Sequence, residues 1–210
     1  MNRLHGLYAI TDNILMPDDP TLLSQVHAAI LGGARVIQYR DKTSETEKRY
    51  RQACLLNELC RKHQRTFLIN DDVQLAQQCG AHGVHIGQKD SPIEEARQAL
   101  GRSAIIGVTC HDQLSLATKA ALACADYVAF GAFYPSKTKP DAKPAPLSLL
   151  TEAKSILSCP IVAIGGITVD NASQTITAGA DMIAVVHSLF AAESITQQAE
   201  AFALAFNWNE

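Results

Sequence analysis

Basic excess is missing from this chain: 18 Lys and Arg stand against 21 Asp and Glu, a formal charge of −3 over 210 residues. Affinity for a phosphate backbone or an anionic bilayer needs such an excess, so neither nucleic acid nor a membrane surface is an expected partner, and any anion site has to be local. The six cysteines, Cys54, Cys60, Cys79, Cys110, Cys124 and Cys159, show no CxxC or CxxH spacing. That pattern suggests a reduced, cytoplasmic protein without a zinc site. No charged-then-apolar leader precedes the first strand-like stretch, and Gly, Asp or Arg interrupts the longest apolar runs well short of a membrane span. A Ser/Gly-rich linker is absent too, so residues 1–210 are expected to form one domain. With 47% hydrophobic and 19% charged residues, the composition suits a soluble domain with a sizeable core.

Short apolar runs alternate with amphipathic segments from end to end. The runs are LHGLYAI (4–10), RVIQYR (35–40), TFLIN (66–70), GVHIG (83–87), AIIGVT (104–109), YVAFG (127–131), IVAIGG (161–166) and MIAVVH (182–187). Between them lie helix signals: Ser91, Pro92 and Glu94 suggest an N-cap, a first-turn proline and a capping box, and Ser44 with Glu47 repeats the box. Ala53, Leu56 and Cys60 make one helical stripe, and Ile195, Ala199, Phe202 and Phe206 another. Four links into strands look alike, GGARVIQ, CGAHGVHI, CADYVAF and AGADMIAV, before every second run. Eight strand–helix pairs with a weak βαβα repeat predict a closed (β/α)8 TIM barrel. An open flavodoxin-like sheet is the alternative, and it would need roughly five strands.

In a barrel of this kind, binding and catalytic residues sit where strands end. Polar residues gather there: Gln38, Arg40 and Lys42 at the strand period of two, then Asn70, Asp71 and Asp90, then Thr109 and His111. The sixth run opens into GAFYPSKTKPDAKPAP, a long loop carrying Ser136, Lys137, Thr138 and Lys139, as binding loops do. Gly165 and Gly166 end the seventh run, and Val186 and His187 the eighth, where barrels most often hold a phosphate. Cations converging with two acids on one mouth suit a polyphosphate whose oxygens a Mg²⁺ bridges. Each element also has a plainer reading. Asp71 and Asp90 suit helix N-caps, His82, His85 and His111 suit hydrogen-bonded core histidines, and Gly165 with Gly166 suits a tight turn.

Taken together, YAITD, QYRDK, LINDD, GVHIGQKD, GVTCH, GAFYPSKTK, AIGGI and AVVHSLF closely resemble, in order and spacing, the signature segments of the thiamine phosphate synthase family, from about residue 8 to residue 190. The resemblance implies a TIM-barrel transferase that joins hydroxymethylpyrimidine diphosphate to a thiazole phosphate, carboxylated or not, and releases pyrophosphate by Mg²⁺-assisted dissociative substitution. It implies a pyrimidine diphosphate site at Gln38, Tyr39, Arg40, Asp41, Lys42, Asn70, Thr109 and Lys139, with Arg40, Lys42 and Lys139 acting on the leaving group. Asp71 and Asp90 would hold Mg²⁺. Ser136, Lys137, Thr138, Gly165, Gly166, Val186 and His187 would take the thiazole phosphate. The family commonly has Ser where Thr109 and His187 stand, and Thr where Ser136 stands. Partners would be these small molecules, with homo-oligomerisation left open. A related thiazole tautomerase shares the barrel and the phosphate loop, but it has no use for Arg40, Lys42, Asp90 and Lys139. A catalytically silent precursor-binding regulator is a third reading.

Overall fold

The computed structural model describes residues 4–135 and 144–206. Eight strands, β1 (Gly6–Ile10), β2 (Val36–Tyr39), β3 (Thr66–Asn70), β4 (Gly83–Ile86), β5 (Ile105–His111), β6 (Tyr127–Phe130), β7 (Ile161–Ile164) and β8 (Met182–Val185), each pair in parallel with the next. The pairing of β8 with β1, from Met182 opposite Gly6 to Val185 opposite Ala9, closes the barrel and removes the open-sheet alternative. All eight predicted runs are strands.

These runs are nearly continuous in apolar residues because both faces of a parallel barrel are covered. Tyr8, Val36, Leu68, Tyr127, Val162 and Met182 fill the inside. Their neighbours Leu7, Ile37, Phe67, Val128, Ala163 and Ile183 face outward into the helix layer. That layer comprises α1 (Asp19–Leu31), α2 (Thr46–Lys62), α3 (Val73–Cys79), α4 (Ile93–Leu100), α5 (Leu114–Leu122), α6 (Ser148–Ile156), α7 (Val169–Thr177), the single turn α8 (His187–Phe190) and α9 (Ile195–Leu204). The Ala53, Leu56 and Cys60 stripe is buried as expected, as are Ala199 and Phe202.

Both expected capping boxes shift. Pro92 has an extended ψ of 151° and serves as the N-cap of α4, so Ser91 lies outside the helix. Glu45, not Ser44, precedes α2, and neither α2 nor α4 has a side-chain cap bond.

The repeated links have a structural cause. Asp126 donates its N–H to the carbonyl of Ile106, and its carboxylate accepts the N–H of the same residue at 2.8 Å. Asp181 clasps Ile161 in the same two-bond way, and His82 clasps Phe67 through Nδ1. Arg35 occupies the equivalent place and makes only the backbone bond to Leu7, since a guanidinium cannot accept. Arg97 donates to the same Asp126 carboxylate oxygen at 2.6 Å. Asp126→Ala would orphan the Ile106 N–H and remove the Arg97 ion pair, while the guanidinium keeps the Ala104 and Cys124 carbonyls, and is expected to cost about 2 kcal/mol in urea unfolding. Asp126→Asn keeps an acceptor and is expected to cost less than half as much.

Candidate active site

The C-terminal strand ends surround a cavity of about 550 Å³ reached by Gln38, Arg40, Asn70, Asp71, Thr109, Gly165, Gly166, Val186 and His187. Strand parity decides who arrives. On β2, Gln38 points inward and reaches the Tyr8 hydroxyl at 2.7 Å, while Thr11 accepts the N–H of Arg40 at 2.9 Å and seats it at the mouth. Tyr39 lies one residue out of phase and turns into the helix layer, where its hydroxyl donates to Gln52 at 2.8 Å. Asp41 is out of phase as well. It is buried, accepts the Thr43 N–H at 2.7 Å and faces Lys48 at 3.4 Å. The side chains of Tyr39 and Asp41 are therefore not brought to the cavity, unlike Gln38 and Arg40, and Lys42 lines an adjoining hollow with Arg40 and His187.

Lys42 extends from the loop after β2 to Asp71 at 2.5 Å, and Asn70 donates to the same Asp71 oxygen at 2.7 Å. Asp71 has the left-handed backbone φ of 62°, which carries its side chain toward the mouth rather than onto α3. The cap of α3 is its neighbour Asp72, which accepts from Leu75 at 2.8 Å and is gripped by Arg49 of α2 at 2.8 Å. The N-cap reading of Asp71 is thereby excluded. Asp90 is no helix cap either. Its carboxylate accepts the Gly87 N–H at 2.7 Å, an approach that a Cβ on residue 87 would obstruct.

The carboxyls of Asp71 and Asp90 act on one another, and their acidities diverge. Burial pushes both carboxyls upward. At Asp71 the bond from Lys42, the contact with Asp90 and the Lys42 charge win, and the carboxyl ends below its ordinary value. Asp90 ends above, because burial and the Asp71 charge outweigh the Gly87 bond. Two carboxylates forced together beside one cation need a further positive charge between them. Among the described residues no group of three His, Cys, Asp or Glu converges. A pair of carboxylates at an open mouth fits Mg²⁺, which keeps waters and takes phosphate oxygens.

The floor of the cavity was not foreseen as a unit. Tyr8 and Tyr127, 119 residues apart, bond through their hydroxyls at 2.8 Å. His85 Nδ1 meets the Tyr127 hydroxyl at 2.8 Å, and its Nε2 meets Thr109 Oγ1 at 2.8 Å. The usable signal was a tyrosine at an inward strand position, since a buried phenol must find a partner. His85 is thus a hydrogen-bonded core histidine. Burial, opposed by the charge of Asp71, holds its pKa down to about 4. An unfolded chain would take up a proton near pH 6.5 while the folded one does not, so stability is expected to fall by roughly 3 kcal/mol as pH drops from about 6.5 to 4. His85→Gln should flatten that part of a stability-against-pH curve.

Across the mouth, Gly165 and Gly166 have φ of 99° and 65°, with their carbonyls tied back by Tyr134 N and Asn171 Nδ2. A Cβ on residue 166 would lie 2.3 Å from the Pro135 carbonyl. His187 is exposed and lines the cavity, standing at the start of α8 rather than in the barrel core. Ser136, Lys137, Thr138 and Lys139 lie outside the described residues.

With this geometry in view, the comparisons with known proteins are decisive. The pattern described as "Thiamine monophosphate synthase" matches residues 7–189. The chain belongs to the thiamine monophosphate synthase family. It is 53% identical over 208 residues to the thiamine-phosphate synthase of Thioalkalivibrio sulfidiphilus, covering 97% of this chain and 96% of that one. The Marinobacter nauticus thiamine-phosphate synthase is 54% identical over 202 residues, 96% of this chain and 89% of the relative. Among solved structures, a thiamine phosphate pyrophosphorylase from Pyrococcus furiosus superposes with a TM-score of 0.88 at 33% identity, covering 98% of this chain and 96% of that one. The family's barrel is the one found here.

Proposed function

We propose that this chain forms thiamine phosphate by joining hydroxymethylpyrimidine diphosphate to a thiazole phosphate, with pyrophosphate as the leaving group. The observation that carries the reading is the Asp71–Asp90 pair locked to Lys42, with Arg40 alongside. The nucleophile is an uncharged ring nitrogen with no proton to lose, so no general base is required. The C–O bond breaks first, its electrons leaving on pyrophosphate and the pyrimidine ring stabilising the methylene cation, and the nitrogen lone pair then forms the new bond to that carbon. What the site must supply is stabilisation of that departing charge.

Arg40, Lys42 and Lys139 would hold the diphosphate oxygens, and Asn70 would keep Asp71 oriented. Asp71 and Asp90 would bind Mg²⁺, which when present neutralises charge on the leaving group. Gln38 and Thr109 would face the pyrimidine. In QYRDK, Tyr39 and Asp41 would act by holding the loop to α2. The amides of Gly165 and Gly166, with Val186 and His187, would take the thiazole phosphate, helped by Ser136, Lys137 and Thr138. The unbridged cysteines support a reducing, cytoplasmic setting. Among the described residues, no helix is long and apolar enough to cross a membrane.

The test is release of pyrophosphate with both substrates and Mg²⁺ present. Release that needs all three is expected. Isomerisation of a thiazole without pyrophosphate would favour the tautomerase, and turnover of neither substrate would favour the regulator.

A further inference from the structure

Five side chains on five strands form one hydrogen-bonded line across the cavity floor: Gln38, Tyr8, Tyr127, His85 and Thr109. Tyr8 and Tyr127 are fully buried, and their phenols cannot ionise at working pH because burial drives both pKa values well up. Each therefore has one proton to give. The Gln38 amide donates to Tyr8, so the Tyr8 proton goes to Tyr127, and the Tyr127 proton goes to His85 Nδ1. His85, accepting at Nδ1, carries its proton on Nε2 and donates it to Thr109. Thr109 is left with its own O–H to offer the cavity, and Gln38 with its carbonyl oxygen. Turning any one member round reverses all five, because a group with a single proton cannot donate both ways.

We propose that Tyr8, Tyr127 and His85 are positioning residues that couple the two ends of this line. The site would then accept a flat ring with an N–H donor at the Gln38 edge and a bare ring nitrogen at the Thr109 edge. This rests on the pyrimidine reading of the site and adds how the ring is read. An aminopyrimidine satisfies both ends in one direction of the line. Its 4-methoxy counterpart has no N–H and no mobile ring proton, so it presents an acceptor at each end: the Gln38 edge then asks for the reversed line and the Thr109 edge for the forward one. No single direction serves both, and the ring is refused.

The probes are 4-amino-5-hydroxymethyl-2-methylpyrimidine and its 4-methoxy analogue, with affinities measured by calorimetry, so a chain that failed to release pyrophosphate would still report on the line. The unaltered protein is expected to prefer the amino ring by at least about thirtyfold, the class of discrimination that unpaired buried polar groups impose. Nitrogen NMR should find His85 with its proton on Nε2. Tyr8→Phe removes only the linking hydroxyl, leaving each end free to turn alone. Its preference should drop to within about threefold, while the amino ring loses about tenfold in affinity. A folded Tyr8→Phe that keeps the full preference overturns the coupling. Should that variant not fold, the unaltered chain decides: a proton on Nδ1, or equal affinity for the two rings, overturns the proposal.

Discussion

Asp90→Ala is expected to lower pyrophosphate release about a thousandfold or more while leaving the barrel folded. Asp90 is exposed at the end of the turn after β4, and its carboxylate accepts the N–H of the nearby Gly87. Removing it should change the urea midpoint little. The functional loss has a different origin. Asp71 alone, already neutralised by Lys42 at 2.5 Å, is a poor ligand for a divalent ion. Loss of metal positioning removes several kcal/mol of leaving-group stabilisation, which at 1.36 kcal/mol per decade gives the stated factor. Titration of Mn²⁺ by its effect on water relaxation supplies a readout apart from turnover, and it should show at least tenfold weaker binding. Turnover within a few-fold of the parent would remove Asp90 from the metal site.

The barrel was legible in the sequence because each strand is buried on both faces, so its apolar run is short, dense and bounded by polar residues. TFLIN coincides with β3 residue for residue, and the other runs overshoot their strands by at most two residues at either end except at β5, which runs on to His111. Gln38 and Arg40 were placed by the period of two. The same period, applied to Tyr39 and Asp41, sends them outward, and treating QYRDK as one block hid that. LINDD offers two adjacent aspartates, and nothing local says which caps α3; the left-handed turn at Asp71 and the grip of Arg49 on Asp72 decide it. The floor was hidden for another reason. Tyr8 and Tyr127 meet across the barrel, and such a pairing exists only once all eight strands close.

Closure makes Gly107→Ala a substitution expected to do great harm for one added carbon. Gly107 lies on β5 between Ile106 and Val108, both turned to the helix layer, so it faces the barrel interior. A Cβ there would sit 1.8 Å from Tyr127 Cζ and 2.3 Å from the phenol oxygen. The ring has nowhere to go. Its plane stacks on His85 at 5.6 Å between centroids, and Tyr8 meets it edge-on at 6.0 Å. Overpacking a filled core costs about 1–3 kcal/mol in ordinary cases, and a contact this short should reach or exceed the upper figure. Displacing the phenol also parts Tyr8 from His85, so kcat/KM for the diphosphate should fall about a hundredfold in whatever fraction stays folded, as misplaced floor groups let the ring sit out of line. The two losses separate in the double variant Gly107→Ala, Tyr127→Leu. Leucine ends short of the phenol edge, so the urea midpoint should recover by at least half, whereas kcat/KM should stay low because no hydroxyl links the two ends. Recovery of both together would mean that Tyr127 serves the barrel only as volume.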